Sequence, residues 1–106
     1  MRKKLSALCG GISIVKRYGD QDPEITGLSY DSRKVKPGHL FFALVGATAD
    51  GHAFIREAVE NGAAAVIHSE PVPNPESGSV YLQVERSRNA VAPVASSFFG
   101  NPSEEL

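Results

Sequence analysis

Residues 30–67, YDSRKVKPGHLFFALVGATADGHAFIREAVENGAAAVI, decide the fold. The run opens on a polar turn, Asp31-Ser32-Arg33. A second turn follows at Val35-Lys36-Pro37-Gly38, where proline presets φ and glycine tolerates a positive one. His39 to Val45, HLFFALV, is continuously apolar and bounded by Gly38 and Gly46. Its short length, aromatic content and flanking glycines predict a strand buried on both faces, as in a parallel sheet. Gly46 to Gly51 is a loop of small residues. His52 to Asn61 predicts an amphipathic helix, with Phe54, Ile55, Ala58 and Val59 on one face and Arg56, Glu57 and Glu60 on the other. Asp50 is a candidate cap, and Asn61-Gly62 a stop. Ala63 to His68, AAAVIH, predicts the next buried strand. Strand, helix and strand in that order predict a right-handed parallel crossover.

Working upstream, Ile25 to Tyr30 reads as a strand that Asp31-Ser32 ends. Residues 18–24, YGDQDPE, are turn-forming. Lys4 to Leu8 predicts a short N-terminal helix stopped at Gly10-Gly11. The basic start followed by apolar residues resembles a weak secretory signal, but Cys9-Gly10-Gly11-Ile12-Ser13 breaks the apolar stretch. Downstream, residues 69–79 carry three prolines and predict an exposed loop. Val80 to Val84 predicts a third core strand, nearer an edge. Arg86 to Phe99 predicts a last helix with Val91, Val94, Ala95 and Phe98 inward, kinked or shortened at Pro93 and stopped by Asn101-Pro102. The expected fold class is α/β, a small mostly parallel sheet flanked by helices. Residues 1–24 form a helix and lead-in, and residues 25–106 the domain proper. The polar last segment, NPSEEL, suggests one domain of a longer protein.

Bulk properties exclude several classes. A chain of 106 residues suits one small domain. With 42% hydrophobic and 22% charged residues it is expected to fold. A net charge of -1 supplies no basic field for nucleic acid, so any phosphate affinity must come from local groups. The single cysteine, Cys9, permits no internal disulfide and reads as a small buried apolar residue in a reducing, cytosolic setting. No run of ~18 apolar residues predicts a membrane span.

Several residues could carry chemistry. Asp31-Ser32-Arg33 closes a strand, and open α/β sheets bind ligands beyond their strands' carboxyl ends. The same residues also make a turn that satisfies its own backbone. Gly46 to Gly51 would let a ligand approach the backbone, yet it lacks the GxxxxGK[ST] spacing of a phosphate loop and reads equally as a plain connection. Arg33, Lys34 and Lys36 form a small basic cluster that would meet a diphosphate or simply be solvated. His39, His52 and His68 have no metal-ligand spacing and read as structural or solvated. Phe41, Phe42, Phe54, Phe98 and Phe99 read as core.

Taken jointly, Ser29-Tyr30-Asp31-Ser32-Arg33, Val35-Lys36-Pro37-Gly38, Leu40-Phe41-Phe42-Ala43, Gly46, Asp50-Gly51-His52, Phe54-Ile55, Ala58 and Gly62-Ala63 resemble the N-terminal domain of Mur ligases over residues 25–106. Two members share the DSR…PG…DGH pattern. The tail from Phe98 to Leu106 resembles the MurE type, in which it leads into a GTNGKTT-type ATP loop. The resemblance implies a fragment of a cytoplasmic, ATP-dependent, amide-forming ligase of peptidoglycan precursors. Such an enzyme adds the third amino acid to UDP-MurNAc-L-Ala-D-Glu. It further implies that this domain holds the UDP end of the substrate and has no catalytic residues, metal or cofactor of its own. ATP and Mg2+ would serve the parent enzyme, and the partners would be UDP-MurNAc-dipeptide and the remaining domains. Positions matching the family's uridine contacts are Tyr30, Ser32, Ala47, Thr48 and Ala49. Tyr30 stands where an apolar residue is common, and Ala47 and Thr48 replace larger polar residues, so backbone contacts are what carries over there. Arg86 stands where an acidic helix-starting residue is common. The alternatives are the D-Ala-D-Ala-adding Mur ligase, a free-standing non-catalytic interaction module, and a small hydrolase using Ser32 and a histidine.

Overall fold

In the computed structural model, which describes residues 3–19, 21–44, 54–69 and 78–99, the apolar runs become the inner strands of one sheet. In chain order the elements are β1 (Lys3–Lys4), α1 (Leu5–Leu8), β2 (Ile14–Tyr18), β3 (Glu24–Ile25), β4 (Gly27–Ser29), β5 (His39–Phe42), α2 (Ile55–Glu60), β6 (Ala65–His68), β7 (Val80–Val84) and α3 (Ser87–Phe99). Short 3-10 turns occupy Cys9–Gly11 and Ser32–Lys34. The main sheet has the order β2-β7-β6-β5-β4. β4, β5, β6 and β7 are mutually parallel, and β2 runs antiparallel to β7 at one edge. The expected α/β class with a mostly parallel sheet is what the chain adopts.

The strands are buried on both faces because their residues alternate between two cores. Leu40, Phe42, Ala65, Ile67, Val80 and Leu82 pack against Leu5 and Leu8 of α1 and Ala90, Val94 and Phe98 of α3. Phe41, Val66 and Tyr81 point the other way, onto Ile55 and Ala58 of α2. Each fully buried Phe or Leu side chain contributes about 1.5–3 kcal/mol, so β5, with Leu40, Phe41 and Phe42, anchors the sheet together with β7, which buries Val80, Tyr81, Leu82 and Val84. Cys9 is partly buried beside the first of these cores, and desolvation pushes its thiol up to about 11, as suits a packed, unreactive residue.

The structure corrects several expectations. The Ile25–Tyr30 strand is split: Ile25 belongs to β3, which pairs antiparallel with β1, while Gly27–Ser29 joins the main sheet. Between them the Thr26 N–H donates to the Gly38 carbonyl at 2.9 Å. Ile14–Tyr18, placed in the lead-in by sequence, is a strand, and it makes β7 an inner strand. α3 runs through Pro93 without ending there. Its buried residues are Ser87, Ala90, Val94 and Phe98, while Val91 and Ala95 are only partly covered. Phe54 and Phe99 are not core: they are 45% and 55% exposed. Phe54 precedes α2, and Phe99 is the last residue of α3. The Asp50 cap, the start of the helix at His52, most of the 69–79 loop and the Asn101-Pro102 stop lie outside the described residues.

Candidate functional site

The turn that leaves β4 is built by two different sets of bonds. Asp31 is extended (φ -113), and its carboxylate accepts from the Arg33 N–H at 3.0 Å. It also accepts from Arg33 Nε and Nη2 at 3.1 and 2.9 Å. These bonds from Arg33 pull the Asp31 carboxyl down to about 2. Asp31 therefore makes the self-satisfying turn that its sequence allows, and Arg33 is engaged within it.

Ser32 is tied elsewhere. It is only 5% exposed, and its hydroxyl donates to the Glu57 carboxylate on α2. Its carbonyl accepts from Asn61 Nδ2 at 2.9 Å. Two residues of one helical segment thus pin Ser32 from its side chain and its backbone. α2 is held in place for this by Ile55 and Ala58, buried under the sheet, and by its termination at Gly62 (φ +108).

Tyr30 lies 59% exposed with its ring stacked on buried Phe42, centroids 5.8 Å apart at 28°. Tyr30, Leu44 and Phe54 supply apolar walls, and Asp31, Ser32, Arg33 and Glu57 polar edges, to a cleft of about 440 Å³ beyond the carboxyl ends of β4 and β5. Exposed rings beside fixed hydrogen-bonding groups suit a flat polar ring such as a nucleobase. Of the sequence-derived site residues, Tyr30 and Ser32 are brought together here. Ala47, Thr48 and Ala49 lie outside the described residues. Glu57 and Phe54 were missed, the first assigned to solvent and the second to core. Glu57 and Asn61, four residues apart, share the face that meets Ser32, a spacing that marks a common face without naming its partner; Phe54 precedes α2 and leaves no periodic signal.

A second cleft of similar volume, about 440 Å³, lies between Gly11–Ser13, the end of β7 and the start of α3, with Arg86 and Asn89 at its wall. It has no exposed aromatic ring among its lining residues, so the Tyr30 cleft is the better candidate. Ser87, at the start of α3, donates its hydroxyl to the Ala43 carbonyl at 2.6 Å and so serves packing. His39 Nδ1 lies 2.9 Å from the Ser29 hydroxyl, and burial, then Lys36, lowers its pKa. His68 is fully buried in β6. Among the described residues no group of three or more His, Cys, Asp or Glu could hold a metal, and no helix is long and apolar enough to cross a membrane.

A small open α/β sheet with a cleft beyond its strand ends defines the class: an α/β domain whose sequence carries no GxxxxGK[ST] phosphate loop. The family model described as "Mur ligase family, catalytic domain" matches residues 24–99. The UDP-N-acetylmuramoyl-L-alanyl-D-glutamate--2,6-diaminopimelate ligase of Bacteroides fragilis is 47% identical over 103 residues, covering 97% of this chain and 21% of that protein. The ligase of the same name from Solibacter usitatus is 51% identical over 83 residues, 78% of this chain and 17% of that protein. The crystal structure of MurF from Acinetobacter baumannii superposes with a TM-score of 0.77 at 26% identity, over 92% of this chain and 21% of that one. The chain belongs to the Mur ligase family and is homologous to the N-terminal domain of its MurE-type members. It spans about a fifth of the length of the curated relatives it matches. The likeness to MurF reflects the shared fold, and the sequence relatives favour the MurE type over the D-Ala-D-Ala-adding alternative.

Proposed function

We propose that this domain holds the UDP end of UDP-MurNAc-L-Ala-D-Glu for a parent ligase that adds the third amino acid to it. The relatives' names point to 2,6-diaminopimelate as that amino acid. The observation that carries the reading is the pairing of two exposed aromatic residues, Tyr30 and Phe54, with the pinned Ser32 hydroxyl at the strand ends. In this reading Tyr30 and Phe54 cover the faces of the uracil, Ser32 meets its polar edge, and the backbone of Ala47, Thr48 and Ala49 completes the grip.

In this reading the chain itself takes neither ATP nor magnesium. The sequence has no GxxxxGK[ST] run, and no metal-holding cluster occurs among the described residues. ATP and Mg2+, which would activate the substrate's carboxylate as an acyl phosphate, belong in this reading to the remaining domains of the parent enzyme. The division is one of labour: residues 25–106 bind and orient, and the bond is made elsewhere. The same reading carries a cytoplasmic location for the parent.

Calorimetric titration of the chain with UDP tests the proposal. Saturable binding, weakened at least about tenfold in Ser32→Ala, is expected for a lost hydrogen bond to a ligand. Absence of saturable binding contradicts it.

A further inference from the structure

We infer that Glu57 is a positioning residue that sets which base the cleft accepts: by accepting the hydrogen bond of the Ser32 hydroxyl it leaves that oxygen only acceptor capacity, so the site selects a base that offers a ring N–H. The inference rests on the reading that the cleft holds a uridine nucleotide.

A carboxylate has no proton to give, so in the Ser32–Glu57 bond the hydroxyl must be the donor. Its single proton is then committed, and only its lone pairs remain for a ligand. The group has little freedom to rearrange. Ser32 is buried, and Asn61, four residues beyond Glu57 on the same segment, holds its carbonyl at 2.9 Å. Ser32 and Glu57 both line the cleft, so the acceptor so formed belongs to the cleft wall.

Charge favours the base over the diphosphate at this end. Glu57 and Asp31 both line the cleft here, and Asp31 already engages Arg33. A phosphate placed against Glu57 would meet like charge. A neutral ring with an N–H edge meets an acceptor instead. Uracil carries a hydrogen on N3, whereas N3 of cytosine is itself an acceptor and would face a lone pair. Sites built to hydrogen-bond a ligand group reject an analogue that leaves the group unpaired.

The test is a calorimetric comparison of UDP and CDP on the 106-residue chain and on two variants at position 57. Glu57 is exposed on α2, so neither Glu57→Ala nor Glu57→Gln disturbs the core. Wild type is expected to prefer UDP by about tenfold or more. In Glu57→Ala the hydroxyl is free to turn and donate, and the preference falls to within about threefold. In Glu57→Gln the amide oxygen still accepts the hydroxyl proton, and the preference is retained; a purely structural role for Glu57 would not move this ratio. Equal binding of UDP and CDP by wild type, or a full preference kept in Glu57→Ala, overturns the inference while leaving the cleft as the UDP site. A wild-type chain that binds no UDP overturns both.

Discussion

Gly62 rests against Pro37 so closely that a Cβ at position 62 would lie 2.8 Å from the Pro37 Cα. The Gly38 N–H also donates to the Gly62 carbonyl at 3.1 Å. The turn that launches β5 is thereby locked to the end of α2. That lock fixes the height of α2 along the sheet, and with it the placement of Glu57 and Asn61 on Ser32.

Gly62→Ala is therefore expected to destabilise the chain by about 3 kcal/mol, since it adds a Cβ at φ +108 and drives it into Pro37 backbone. Urea unfolding followed by circular dichroism measures the loss. A cost under about 1 kcal/mol would mean that the two segments part easily, and that α2 does not depend on this contact.

Tyr30→Ala separates binding from folding. The ring is 59% exposed and stacked on Phe42, so its loss costs about 1 kcal/mol of stability. A base stacked on it would lose about 1–3 kcal/mol, a drop in UDP affinity of roughly fivefold or more by calorimetry. Unchanged affinity would remove Tyr30 from the cleft's binding wall.

Asp31 supplies a pH signature. Its folded pKa, about 2, lies below its ordinary value of 3.8, first because the Arg33 side chain hydrogen-bonds the carboxylate. A carboxyl with a depressed folded pKa contributes stability that is present above the unfolded value and lost as pH falls through the folded one. The loss falls between about pH 4 and pH 2, and because the group is exposed it is small. Asp31→Asn should be less stable than wild type at pH 6 and should show a shallower acid decline across that window. Parallel stability curves for the two proteins would show that the Asp31–Arg33 bonds contribute nothing in solution.

The inner strands and the two longer helices were legible in the sequence because their signal is local. HLFFALV, AAAVIH and VYLQV are short apolar runs, and Val91, Val94, Ala95 and Phe98 recur at helical spacing, of which Val94 and Phe98 are buried. β2 was not legible, because IVKRY is an almost wholly exposed edge strand whose partner, β7, lies far along the chain. The pairs Lys3–Lys4 and Glu24–Ile25 are too short to leave any period. Within the site, Ser32 was marked by its place after a strand and by the family pattern. Glu57 was not, because a charged residue on the outer face of an amphipathic helix reads as solvated, and its bond to Ser32 spans 25 residues of sequence. Phe54 shows the limit of the helical wheel: it precedes the first residue of α2, so the periodicity that places Ile55 and Ala58 does not govern it.

Titration of the 15N-labelled chain with UDP, read residue by residue, tests whether the Tyr30 cleft holds the uridine end. Saturable shifts are expected at Tyr30, Asp31, Ser32, Phe54 and Glu57, and at Ala47, Thr48 and Ala49. Shifts concentrated instead at Gly11–Ser13 and Arg86–Asn89, beside the second cleft, would contradict it.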